Sequence, residues 1–316
     1  MQREKGRAKG TWNNKVCHLR HYLNFTYYYG VPDFPVHLGI LLRFIALLGR
    51  GPLAFSSAQN IISSLRWFAS MIDPPSVKVF NSVLLSVSLK GLKAQLSRPV
   101  RQKLPLSLNH LCKFHSFLDM SNLKHLACWC AMLIAFFGCF RLSNLVPSSK
   151  SKFDPSKHLT RDDIKFEKDL VLIFYKWSKT NQHCSKVSWV PICTVADDRF
   201  NIKKFLYLLF SSVAADDTAP VFSFSRKDFH SRHTLVNLLD KCVFNAGLSL
   251  SDYSWHSFRR GAAVFAFELG LADSAVQLLG DWTSSAFKNY LEFSFLRKVT
   301  IAQQIALSFK NKLKNV

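Results

Sequence analysis

Acidic residues are scarce in this sequence. Only 20 Asp and Glu stand against 42 Lys and Arg over 316 residues, a formal charge of +22 at neutral pH. The resulting positive field favours a polyanion, most often nucleic acid, because neutralising phosphates releases condensed counterions. Ligand spacing is missing from the eight cysteines (17, 112, 128, 130, 139, 184, 193 and 242). No two form a C-x-x-C pair and none clusters with histidine, which argues against a zinc site. "MQREKGRAKG" lacks the pattern of a secretory leader, so free thiols in a reducing compartment are expected. No apolar run reaches the ~20 residues of a spanning helix. The longest, "ACWCAMLIAFFGCF" (127–140), ends at Arg141, and "VHLGILLRFIALLG" is broken by Arg43. Both read as core helices, with no membrane partner. Internal repeats and low-complexity tracts are also missing.

What is present describes a folded chain: 48% hydrophobic and 20% charged residues, with length enough for two domains. Residues 1–10, with Arg3, Lys5, Arg7 and Lys9, read as a basic arm. Trp12, Val16, Leu19 and Leu23 recur at helical spacing, with Asn13, Lys15, Arg20 and Asn24 opposite, until "GVPDFPV" ends the pattern. Further helices are expected over 36–48, 56–72 (with Ser56 or Ser57 as N-cap) and 75–95 (after "DPP"), completing a helical domain over 11–95. "LSRPVRQKLPLS" has the composition of a basic linker, placed at 96–106. Residues 107–316 read as a second domain. Helices near 107–120 and 122–138 precede two strands in "DDIKFEKDLVLIFYKWSKT", turning at "EKD", and a third in "KVSWVPI". Helices then return through "NIKKFLYLLFSSV", "SRHTLVNLLDKCVFNAG" and "ADSAVQLLG" to an amphipathic tail after 296. The fold class is mainly α with a small antiparallel sheet.

One stretch, "SDYSWHSFRRGAAVFAFELG" (251–270), puts a histidine and two arginines at the mouth of an otherwise apolar helix. Charged side chains are rarely buried unless paired. His256 and Arg259 are spaced i, i+3 and share a helix face. Arg141 closes the apolar run "FGCFRLSNL", Lys179 sits after the second strand in "KWSKTNQ", and Tyr290 ends "GDWTSSAFKNY". This set can carry phosphoryl transfer without a metal. Two guanidiniums clamp the extra negative charge of a phosphorane. A lysine can protonate the leaving oxygen, a histidine can handle the nucleophile's proton, and a tyrosine can attack to form a covalent intermediate.

"HSFRRGAA", "LLGDWTSSAFKNYL" and "FGCFRLSNL" together resemble the signature blocks of the tyrosine recombinase (phage integrase) family, closest in flavour to eukaryotic transposon-encoded members of DIRS or crypton type. The resemblance implies a helical core-binding domain and an α+β catalytic domain forming a C-shaped clamp on double-stranded DNA. It implies site-specific cleavage and rejoining through a 3′-phosphotyrosine, with no cofactor and no metal. Position by position, Arg141 and Arg259 match the phosphate clamp, Lys179 the general acid, His256 the histidine of the H-x-x-R pair, and Tyr290 the nucleophile. Two positions depart from the family pattern. Asn144 stands where an acid is common, and Asp281 follows Gly280, so Trp282 is expected to donate to the phosphate instead. The resemblance also implies a mobile element, a homo-tetramer on paired sites through the C-terminal helix, and nuclear residence. A catalytically inactive DNA-binding protein of the same fold, or a type IB topoisomerase activity, are the alternatives.

Overall fold

The computed structural model describes residues 9–97, 102–176, 188–280, 282, 287–288 and 303. The chain divides into two compact units, Met1–Val100 and Arg101–Val316.

The first unit is built from α1 (Lys9–Tyr29), α2 (Leu38–Arg50), α3 (Phe55–Ile72), a 3-10 segment (Pro74–Asn81) and α4 (Val83–Leu96). Its core gathers Tyr22, Leu41, Phe44, Leu65 and Leu92, all at most 4% exposed. Arg43 points outward from α2, as the break in its apolar run suggests. The buried stripe of α1 is rotated from the expected one. Trp12, Val16, Leu19 and Leu23 are half-buried, while Tyr22, Phe25 and Thr26 lie inside. Aromatic packing decides this: Phe44 meets both Tyr22 and Phe25 at 5.2 Å between ring centroids, and such rings bury more area than an aliphatic stripe. Lys15, expected to face water, lies over the Trp67 ring at 4.8 Å. Two helix starts also differ. The N-cap of α3 is Ala54, not Ser56 or Ser57. The continuous helix expected over 75–95 is interrupted at Ser82, whose backbone is extended. The prolines at 74–75 start a tight 3-10 turn, and serine favours such a boundary over a helix interior.

In the second unit, α5 (Leu108–Phe117) and α6 (Leu123–Phe137) are followed by α7 (Leu142–Leu145) and the strands β1 (Ile164–Phe166), β2 (Leu170–Tyr175) and β3 (Ser188–Cys193). Then come α8 (Ile202–Ser212), α9 (Arg232–Asn245), α10 (His256–Glu268) and α11 (Asp273–Leu279). Helix α6 is buried on every side from Leu126 to Phe136, which is how an all-round apolar helix is stabilised without a membrane. Its one polar indole, Trp129 Nε1, donates to Arg199 O at 2.9 Å. Among the described residues no helix is long and apolar enough to cross a membrane.

The sheet is antiparallel in the order β1-β2-β3, with Ile164 opposite Ile173 and Leu172 opposite Pro191. Val171, Ile173 and Tyr175 of the central strand alternate inward. Pro191, which has no N–H to donate, is tolerated because β3 is an edge. The sheet's end is pinned by Lys176, whose ammonium meets Asp163 Oδ2 at 2.7 Å, while Thr160 N and Oγ1 donate to the same carboxylate oxygen.

Residues 102–106, which have linker composition, are instead docked on the second unit. Leu104 N donates to Asp252 O (2.7 Å) and Leu106 N to Ser257 O (3.0 Å). Lys103 Nζ reaches Ser251 O (2.8 Å), and Leu106 is 1% exposed. The approach is close enough that a Cβ at Gly261 would overlap Leu106 O. The glycine of "RRGAA" is therefore a packing requirement.

Candidate active site

Helix α10 contributes the deepest part of the site. Its first two turns hold Ser257, Phe258, Arg259, Arg260, Gly261, Ala262 and Ala263, all buried. The small residues let α6 and the 102–106 segment approach closely, which is why charge can be sunk here. Arg259 is 2% exposed. Its Nη1 donates to Cys139 O and its Nη2 to Gly280 O, and its guanidinium lies 4.3 Å from the Trp282 ring centroid. Both of these acceptors are neutral carbonyls, and they orient the guanidinium. Cys139 delivers its carbonyl from a left-handed backbone, φ 57°, unusual for a side chain other than glycine.

Arg141 is the N-cap residue of α7, half-buried. Asn144 N donates to Arg141 O at 2.9 Å, and buried Asn144 accepts from Tyr175 Oη in a long 3.4 Å contact. The asparagine at this position thus braces the arginine's turn against the sheet through neutral groups.

Arg141, His256 and Arg259 line one cavity of 390 Å³, together with Phe140, Ser143, Arg232, Ser254 and Trp255. Among its described lining residues there is no carboxylate. His256 is exposed, yet its imidazole is partly desolvated. That desolvation, followed by the like charges of Arg259, Arg260 and Arg141, pushes its pKa down to about 4. The imidazole is therefore neutral at pH 7.

The structure brings three of the six sequence-derived site residues to this cavity. A fourth, Trp282, lies elsewhere. It is 7% exposed, held by Gln277 (Trp282 N to Gln277 O, 3.1 Å) and packed on Phe287. Its ring backs onto Arg259, so its contact with the cavity runs through that guanidinium. A Cβ at Gly280 would overlap the same ring, so glycine is what lets the chain fold back there. Lys179 and Tyr290 lie outside the described residues, as do Asp281, the basic arm up to residue 8, and the tail after 296 apart from Gln303. Lys176, three residues before Lys179, is committed to Asp163, Thr160 and Pro155 O. Arg260, left without a role by sequence pattern, donates from Nη1 to Gln102 Oε1 at 2.7 Å and ties the 102–106 segment to α10.

Sequence reasoning missed Arg232, Ser254 and Trp255. A signal existed for the first: "SRH" places Arg232 in the first turn of α9, against the helix dipole, with no acid there. Among the described residues no group of three or more His, Cys, Asp or Glu is gathered as for a metal ion.

The mainly helical architecture, with its small antiparallel sheet, matches the fold of tyrosine recombinases. The Tn1549 transposon integrase, solved with transposon right end DNA, superposes with a TM-score of 0.64 at 16% identity, covering 96% of each chain. The XerH site-specific recombinase, on a palindromic difH substrate, gives 0.63 at 15% identity, over 92% of this chain and 78% of that one. A lambda integrase dimer bound to a COC′ core site gives 0.53 at 16% identity, over 90% and 89%. The sequence matches no protein-family model and no curated protein.

Proposed function

We propose that the protein is a tyrosine recombinase that cuts and rejoins double-stranded DNA, encoded by a mobile element. The observation that carries this reading is the convergence of Arg141, His256 and Arg259, from segments over a hundred residues apart, on one cavity without a described carboxylate. Such a cavity suits an anion, and the +22 charge suits a polyanion. In the proposed reaction Tyr290 Oη attacks a DNA phosphorus and the bond to the 5′ oxygen breaks, leaving a 3′-phosphotyrosine. Neutral His256 takes the tyrosine's proton, and Lys179 gives one to the leaving 5′ oxygen. Arg141 and Arg259 hold the phosphorane's non-bridging oxygens, and Trp282 steadies Arg259 from behind. Attack by a second strand's 5′-hydroxyl reverses the step, so the phosphodiester energy is conserved.

The first unit is proposed to bind the same duplex as a core-binding domain, and the second to be the catalytic domain. A tetramer on paired sites, assembled through the C-terminal helix, and nuclear residence belong to the same proposal. The test is covalent trapping on a nicked suicide duplex containing the DNA that flanks the gene. The wild type is expected to give an adduct that Tyr290→Phe abolishes. DNA binding without an adduct would make the protein an inactive binder of the same fold. Relaxation of supercoils by a monomer, with no exchange between sites, would favour a type IB topoisomerase.

A further inference from the structure

We propose that Arg232 is a third phosphate-binding arginine of this cavity, holding the DNA phosphate next to the one that is cleaved. The inference rests on the reading of the cavity as a DNA-cleaving centre. Arg232 lines the same wall as Arg141, His256 and Arg259, and among the described residues no carboxylate pairs with it. Its backbone is fixed: Arg232 N donates to Pro147 O at 2.8 Å, just beyond α7, and Ser231 and Thr234 close a capping box around it. A backbone hydrogen bond therefore joins the start of α9 to the chain just beyond the turn that carries Arg141.

Local electrostatics give no reason for this arginine. A cation in the first turn of a helix faces the positive end of the dipole, and α9 has no acid there to offset it. An anion delivered from outside supplies the missing partner. A second feature of the same lining is an unsatisfied donor. Among the described residues the buried Trp255 indole N–H has no hydrogen-bond partner, and it belongs to a lining that also holds Arg141, Arg232 and Arg259.

Depth sorts the three guanidiniums. Arg259 is buried at the floor, Arg141 is half-buried, and Arg232 is exposed at the rim. Two planar guanidiniums saturate the non-bridging oxygens of one phosphate. Successive phosphates of a strand are displaced both along and around the duplex axis, so an arginine at the rim meets a different phosphate from the arginine at the floor. The neighbouring phosphate is thus the natural partner of Arg232, and its contact would set the register of the strand over the floor.

The experiment has two arms on the full chain. Anisotropy titrations of a 30-base-pair duplex across a salt series should show Arg232→Gln with a log K against log salt slope smaller by about one, and affinity about 5–10-fold weaker near 0.15 M salt. Arg232→Lys should recover most of the slope. A duplex selected by the wild type from a random pool is then rebuilt with neutral methylphosphonate at one phosphate at a time. Neutralising the phosphate beside the cleaved one should erase the difference between wild type and Arg232→Gln. An unchanged slope overturns the proposal, as does a difference that survives at every position. Erasure at the cleaved phosphate itself overturns the assignment to its neighbour. A wild type that binds no duplex removes the functional reading as well, whereas a wild type that forms the Tyr290 adduct with Arg232→Gln unaltered in binding removes this inference alone.

Discussion

Replacing Gly261 by alanine puts two opposed effects in competition, and their sizes decide the outcome. Within α10 the change is intrinsically favourable by about 1 kcal/mol, because glycine is a poor helix former. Against that, the new Cβ overlaps Leu106 O, falls 3.0 Å from Leu106 C and 2.9 Å from the Phe136 ring. The ring belongs to the buried face of α6, so the segment at 104–106 must yield. Moving it breaks the Leu106–Ser257 and Leu104–Asp252 hydrogen bonds, each contributing about 1 kcal/mol. It also exposes Leu106, about 2 kcal/mol for an aliphatic side chain now 1% exposed. The net expectation is a loss of about 3 kcal/mol, or roughly a 10 °C drop in the melting of a unit this size. Hydrogen exchange followed by mass spectrometry on the full chain reads it locally: amides 104 and 106 should lose protection in Gly261→Ala. An equal or higher Tm with both amides still protected would refute the packing argument.

Lys176→Met should destabilise the second unit by about 2–3 kcal/mol, since it leaves buried Asp163 without its ammonium partner, while still forming a DNA adduct. Lys179→Ala should do the reverse, and urea melts beside the trapping assay separate the two. The His256 imidazole should titrate near pH 4 by NMR. Because its folded pKa lies below its unfolded value near 6.5, the folded state binds fewer protons between those two values. Its contribution is complete above pH 6.5 and is lost as pH falls towards 4. Solvent at this exposed residue limits it to about 1 kcal/mol, so His256→Gln should slightly flatten the acid limb; a midpoint at 6.5 or above contradicts the cavity's electrostatics. Cys139→Val should cost about 2–3 kcal/mol, because a β-branched side chain is strained at φ 57° and the site is full. Circular dichroism melts check it, and an unaltered Tm would count against the left-handed turn.

Much of this was legible from local pattern. The apolar run at 127–140 could only be a buried helix, since its length falls short of a membrane and its composition leaves no polar face. The alternation in "LVLIFY" and the turn at "EKD" placed two strands, and spacing put His256 and Arg259 on one helix face. Boundaries were less legible where tertiary contacts competed with propensity. Phe44 drew Tyr22 and Phe25 inward and turned α1 away from its simplest stripe. The 102–106 segment carries linker residues, yet backbone hydrogen bonds to 252 and 257 hold it, and no composition rule anticipates those partners.

What the sequence alone determined is the inventory: a basic chain, mostly helical with one small sheet, carrying arginines, a histidine, a lysine and a tyrosine in an order that suits phosphoryl transfer. Those features follow from periodicity, charge and spacing, which act between near neighbours. The tertiary structure decided which charges share a cavity and on what terms. It gave Arg259 two carbonyl acceptors and an indole, put Trp282 against that guanidinium, gave Arg260 to Gln102, and added Arg232 from a segment that sequence pattern had marked only as a helix. Each of these is a contact between residues distant in the chain, fixed by how buried faces meet. No local rule encodes them.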